Sequence, residues 1–413
     1  MKKNFPLLFP TLLLACSSNA FAWGSLGILG PSTHTRIAAK ALKLLDSGSY
    51  PDMMNNGTQI KNGATSEAGH EKIHNGGGRL KDWWDGGDGR GTLKGGVLPS
   101  YSKLEIEDAY LNLGRMCHLT EDQAVPAHAA HIPHSIVLHL PPDGVEKYTG
   151  KHHDFGEIPQ VAGDKMPYEY YQTLQDETRS HLGEWVSPVT GKPFWDESPE
   201  AYRFKDATLG PVGQYGGGGD TFLQSAEQDL KASGLSAREI AARQLGMAAG
   251  YTKAVLESAS KRLPPLVSGL SVYPGVITPG QKVQIAFTAL ENRTPHVRYA
   301  VTLRPDGGEE TVILTGETKL DKPSPSFDTS GQQEPKKPEE LLFNRRVRLD
   351  WAAAAGGKPL AEGAYLLEVH LMDDDGNIIP VSVNSDDVRE NDSARLVSVV
   401  NTAPKDPSPF SFD

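Results

Sequence analysis

The sequence is almost without cysteine: Cys16 and Cys117 are the only two in 413 residues. Cys16 falls within a segment that reads as a cleavable export signal, so the mature chain would keep one thiol and no intrachain disulfide. An exported chain of this kind must be held by core packing or by metal instead. Long apolar runs are also missing after the N terminus, where no stretch reaches the roughly twenty apolar residues of a membrane-spanning helix. Positive charge is in deficit, with a formal net charge of −11. That balance argues against a broad phosphate-binding surface for duplex nucleic acid, and nucleic acid is not an expected partner. A compact site carrying its own cations stays open, because a bound metal can dominate the local field.

The export signal has three parts. Lys2 and Lys3 form a basic start, residues 5–15 are apolar, and Ala20-Phe21-Ala22 supplies an A-x-A cleavage motif. Residues 1–22 are therefore expected to be removed, leaving Trp23 first in a secreted or periplasmic protein. A rival reading takes Leu13-Leu14-Ala15-Cys16 as a lipobox, which would anchor the chain through a lipidated Cys16.

Histidine is distributed unevenly. Of the 13 in the chain, all but His296 and His370 lie between His34 and His181. The character of the sequence changes near residues 262–265, where paired prolines suggest a linker. Before it the pattern is helical. Ser32 or Thr33 can cap a helix through IAAKALKLL, and residues 102–123 place Leu104, Ile106, Tyr110, Leu113 and Cys117 near helical spacing. Ser236 and Glu239 form a capping box that opens a long helix. After it the period becomes two, as in Val283, Ile285, Phe287 and Ala289, or Tyr365, Leu367, Val369 and Leu371. About eight such runs suggest a β-sandwich of Ig-like type. Residues 321–340 read as an exposed loop and 402–413 as a disordered tail.

CHLTEDQAVPAHAAH is the most informative stretch. His118 and Asp122 are four apart, so on a helix both project from one face. Proline then limits the helix, and His128 follows. His153 and Glu157 repeat the same spacing. Imidazole and carboxylate placed in this way can close on one divalent ion, and zinc suits a mixed nitrogen and oxygen set. A single such pair is commonly a salt bridge; two pairs joined by Pro126-Ala127-His128 favour a metal site.

These residues resemble the bacterial zinc-dependent phospholipases C, whose fold is shared by fungal single-strand-specific nucleases. The resemblance rests on Trp23, on His34 in THTRIAAKAL, on Glu67 and His74, on the core from His118 through Asp122 and Pro126 to His128, and on His153 with Glu157. It covers residues 23–262. It implies an all-α catalytic domain over 23–263, followed by an all-β domain over 267–401. It also implies three zinc ions: one held by Trp23, through its free amine and carbonyl, with His34 and Asp122; one by Glu67, His74, His118 and the bridging Asp122; and one by His128, His153 and Glu157. His70 competes with His74 for its place. Glu67 would be the general base, with Asp122 beside it in the catalytic centre. The implied activity is hydrolysis of the glycerol-side phosphodiester of phospholipids such as phosphatidylcholine, by a monomer whose partner is the membrane surface. The alternatives are a single-strand nuclease or nucleotidase, and a non-enzymatic, lipid-anchored zinc-binding protein. In the β region, Asp373-Asp374-Asp375-Gly376-Asn377 offers oxygen ligands for calcium; an acidic hairpin turn accounts for the same residues.

Overall fold

The computed structural model describes residues 32–65, 80–86, 96–132, 143–196, 204–206, 210–212, 214–215, 221–232, 234–323, 336–378 and 393–400. Five helices organise the N-terminal part: α1 (Thr33–Leu44), α2 (Gly57–Ala64), α3 (Ile106–Asp122), α4 (Glu169–His181) and α5 (Ala237–Ser260). Their starts follow the caps read from the sequence. The Ser32 hydroxyl accepts from the Thr35 amide at the head of α1, and Ser236 with Glu239 completes the capping box of α5. The helix expected over residues 102–123 is divided. Val97–Ser102 forms one short helix, Leu104 takes a positive φ of 66°, and α3 starts afresh at Ile106. A γ-branched residue in the left-handed region cannot continue a helix, so the apolar spacing runs through a break.

The expectation of an all-α N-terminal domain is corrected. Three short antiparallel ladders lie in the same part of the chain: Trp195–Asp196 with Gln214–Tyr215, Phe204–Asp206 with Gly210–Val212, and Lys231–Ala232 with Leu235–Ser236. The stretch that forms them contains Pro211, Gly213 and the glycines at 216–219, and both residue types are poor helix formers. Its backbone groups pair across strands instead. Together with the sheets that follow, this makes the chain mixed α and β.

Among the described residues of the C-terminal part, eight strands make up two larger sheets, beside a small ladder of Ala354–Ala355 with Lys358–Pro359: β1 (Leu266–Tyr273), β2 (Val276–Ile277), β3 (Lys282–Glu291), β4 (His296–Pro305), β5 (Thr311–Lys319), β6 (Phe343–Ala352), β7 (Gly363–Met372) and β8 (Ala394–Val399). They form a five-stranded sheet in the order β5-β4-β7-β8-β2 and a three-stranded sheet in the order β6-β3-β1. All neighbours are antiparallel except β8 and β2. Val283, Ile285 and Phe287 of β3 share a core with Val297 and Val301 of β4 and with Leu367 and Val369 of β7. Alternation in the sequence thus becomes one buried face per strand.

The expected linker at 262–265 is not an open tether. Leu263, Pro264 and Pro265 are buried, and Leu266, Leu290, Leu341 and Leu342 belong to the same apolar cluster as the helices. The two parts are therefore packed on each other, and a polar knot pins the contact. Asp52, fully buried in the short helix Pro51–Asn55, accepts from Tyr110 of α3 at 2.8 Å, from Ser260 at the end of α5 at 2.9 Å, and from Asn292 after β3 at 3.1 Å. Glu291 lies in the same region and is also buried; its carboxylate accepts amide hydrogens from Arg293 and Thr294. Among the described residues no helix is long and apolar enough to cross a membrane.

Burial pushes the Glu291 carboxyl up to about 8, with the charges of Asp52 and Asp373 adding to it and the two amide donors opposing it. The folded chain then holds a proton that the unfolded chain has released, so folding stability declines as pH rises from about 4.5 to about 8 and levels off above that. Glu291→Gln keeps an oxygen for both amides and should flatten this decline. Denaturant melts at the two ends of that range measure it; an unchanged slope in the variant would remove Glu291 as the source.

Candidate metal centre

The first turn of α1 and the last turn and a half of α3 meet in the interior of the helical part. His34, His118, Glu121 and Asp122 are there, each with no measurable exposure to solvent. Their proximity is set by backbone approach. Gly114 of α3 lies against the Ile60 carbonyl, and Gly63 of α2 against the Leu111 carbonyl, so closely that a Cβ at either position would collide with backbone. That crossing carries the last residue of α2 to α3, where the Ala64 carbonyl stands 2.8 Å from His118 Nδ1.

Contacts at the far nitrogen of each ring orient both imidazoles. His34 Nδ1 is 2.7 Å from Glu121 Oε2, and His118 Nδ1 donates to the Ala64 carbonyl. With Nδ1 committed in each ring, both Nε2 atoms face Asp122: His34 Nε2 is 3.3 Å from Oδ1 and His118 Nε2 is 3.6 Å from Oδ2. The rings stack with centroids 4.0 Å apart. One donor atom from each of His34, His118 and Asp122 lies within 4.8 Å of the other two. Histidines that bind metals are oriented in this manner, with the distal nitrogen on a carboxylate or backbone carbonyl and Nε2 toward the ion. Glu121 is itself held through its other oxygen by the Thr252 hydroxyl of α5 at 3.0 Å.

Electrostatics calls for positive charge at this point. Two carboxylates occupy the C-terminal turn of α3, where the helix dipole is negative and the turn itself holds no lysine or arginine. Burial opposes a charged imidazole at His34, yet Asp122 and Glu121 outweigh it and hold its pKa up to about 10. Without a metal, a proton on His34 supplies the missing charge. A divalent ion would take the same position, so proton and ion compete for Nε2.

The other expected ligands fare differently. Trp23, Glu67, His70 and His74 lie outside the described residues. His128 is buried in the short helix Pro126–Ala129, but its Nε2 is 3.2 Å from Glu146, a residue for which spacing gave no hint. His153 and Glu157 are not a turn apart on a helix. Their segment is extended along α5, where the Gly156 amide donates to the Ala242 carbonyl at 2.8 Å and Gly246 and Gly250 leave room for the backbone of Glu157 and Pro159. Glu157 is exposed, and the structure does not gather His128, His153 and Glu157 into a ligand group. Glu121 was also missed, although its spacing of three from His118 put it on the same helical face. In the acidic turn, Asp373 accepts from the Asn377 amide and side chain, Asp374 meets His296 at 2.9 Å, and Asp375 pairs with Arg293.

Comparison with known proteins corrects the functional expectations. No family model matches the chain, and no curated protein does. Membership of the zinc-dependent phospholipase C family therefore does not stand, nor does phospholipid phosphodiester hydrolysis as its activity. Among solved structures, the chain is similar to an alkylpurine DNA glycosylase of Pseudomonas fluorescens bound to DNA containing an abasic-site analogue, at 13% identity and a TM-score of 0.19, over 89% of this chain and 97% of that one. The phospholipid surface, expected as partner on the strength of that membership, is withdrawn with it, and the expected exclusion of nucleic acid is withdrawn too.

Gly114→Ala removes no donor atom from the centre but forces α2 off α3. It should cost about 1–3 kcal/mol of stability by overpacking and weaken zinc retention, because the Ala64 carbonyl moves away from His118. Zinc retained as in the wild type, measured after dialysis against a weak chelator, would show that this crossing does not position the ligand.

Proposed function

We propose that the helical part is a metalloenzyme unit whose centre holds one divalent transition-metal ion, with His34 Nε2, His118 Nε2 and Asp122 as its protein ligands. The single observation that carries this reading is the pinning of both Nδ1 atoms by fixed acceptors, which turns two buried imidazoles and a carboxylate toward one point. A mixed set of two nitrogens and one oxygen suits zinc, with other divalent ions as competitors. Three protein ligands among the described residues would leave one tetrahedral position for an exogenous molecule, the arrangement of catalytic rather than structural zinc. An ion there supplies Lewis acidity, polarising an oxygen of water or substrate.

The chain's own residues then have separate tasks. Asp122 binds the ion and offsets its charge. Glu121 holds the His34 ring and strengthens it as a donor, with Thr252 fixing the carboxylate in turn. The Ala64 carbonyl does the same for His118. Tyr171 of α4 is buried close enough to feel the Asp122 charge; burial first, and that charge second, push its phenol well up, so it stays protonated as a potential hydrogen-bond donor.

Cobalt substitution tests the reading without knowledge of the substrate. The cobalt protein should show the intense visible bands of four-coordination, and added azide should shift them by entering the open position. Asp122→Asn should lower metal affinity by about ten-fold or more, and Glu121→Gln should lower it less while leaving the ion bound. Bands indifferent to azide would make the ion structural; an Asp122→Asn protein with wild-type metal content would end the assignment.

A further inference from the structure

A second group of metal-ligating side chains lies on the β-sheets, far in sequence from the first. Thr302 of β4 stands directly across from Glu368 of β7, and Ala300 across from His370, so Thr302, Glu368 and His370 share one face of the five-stranded sheet. It is the face opposite to Val301, Leu303, Leu367 and Val369, which fill the core. Glu310 joins them from the position just before β5. One oxygen from each of Glu310 and Glu368 and one nitrogen of His370 all lie within 4.8 Å of one another. His370 Nε2 is 3.1 Å from Glu310 Oε1 and 3.1 Å from Thr302 Oγ1.

Glu368 makes this more than a surface ion pair. Its side chain is only 5% exposed, although it sits on the outer face of the sheet. Arg304 reaches Oε2 from 3.9 Å, too far for a hydrogen bond, while Oε1 is shut off from solvent with no hydrogen-bond partner. A buried carboxylate oxygen without a donor is costly, and two carboxylates beside one imidazole supply the cheapest remedy, a shared cation. His370 also forms part of the wall of a cleft of about 510 Å³ lined by Ala300, Thr315, Glu317, Met372 and Ile378. Coordination positions left open by the protein can face that cleft.

We propose that Glu310, Glu368 and His370 form a second divalent-metal site, independent of the helical centre, whose ion presents its open positions to the cleft. One nitrogen and two carboxylates suit zinc and its borderline neighbours, and are a poorer match to the all-oxygen shells of calcium or magnesium. The strands set the spacing of two of the three ligands, so the site needs no rearrangement of the backbone to close.

Zinc titration of the full-length chain, with bound metal counted by mass spectrometry, decides the matter. The background is His118→Ala, which disables the helical centre and leaves the sheets intact. In that background one zinc per chain should remain and should raise the melting temperature. Adding His370→Ala or Glu368→Gln should weaken it by about ten-fold or more. Glu310→Gln changes an exposed side chain and should fold normally, so it keeps the test decisive if the buried variant does not fold; it should weaken zinc in the same direction. Zinc bound equally well by the His118→Ala protein with and without Glu310→Gln and His370→Ala, or no zinc bound by the His118→Ala protein at all, would overturn the site.

Discussion

Enclosing four ionisable side chains where α1 meets α3 is costly unless the charge of the two carboxylates is balanced there, by a proton or by a cation. Glu121 and Asp122 bring two carboxylates to the negative end of a helix, both without measurable exposure to solvent. A proton on His34 meets part of that demand, and a divalent ion meets it more completely. The surrounding fold is arranged to keep the demand in place. The glycine crossing of α2 and α3 delivers the Ala64 carbonyl, Ser32 starts α1 so that His34 falls in its first turn, and Thr252 of α5 anchors Glu121. Each of these contacts lies outside the proposed ligand set, yet each helps fix where one of its atoms points.

The same economy recurs at the junction of the helices with the sheets. Asp52 gathers donors from two helices and from Asn292 after β3, so the seam between the two parts is polar at its centre and apolar at its margins, where Leu266, Leu290, Leu341 and Leu342 pack. Burial of Glu291 beside this knot makes the seam sensitive to pH, with the protonated carboxyl as the favoured form. A linker would have left the parts free to move; this seam couples them.

Much of the helical centre was legible in the sequence, because its chemistry follows local spacing. His118 and Asp122 are four apart on a real helix, and Ser32 and Ser236 mark the starts of α1 and α5. The strands of the sheets were legible for the same reason, since period two becomes a buried face. Where spacing misled, the helix it presupposed did not exist. His153 and Glu157 repeat the interval of His118 and Asp122, but their segment is drawn out along the glycines of α5. Glu146, the partner of His128, and the grouping of Glu310 with Glu368 and His370 depend on which strands and loops come together, and no interval within the chain encodes that. The resemblance to phospholipases C drew its force from intervals as well, and it failed in comparison with known proteins.

The account stands on an ion between α1 and α3, and anomalous scattering can place it. Crystals of the zinc-loaded protein, measured on either side of the zinc absorption edge, should give a peak bounded by His34 Nε2, His118 Nε2 and Asp122, with both Nδ1 atoms still on Glu121 and Ala64. A density map with no peak there, and His34 hydrogen-bonded directly to Asp122 in the presence of excess zinc, would show that a proton alone satisfies the buried carboxylates and would contradict the central claim.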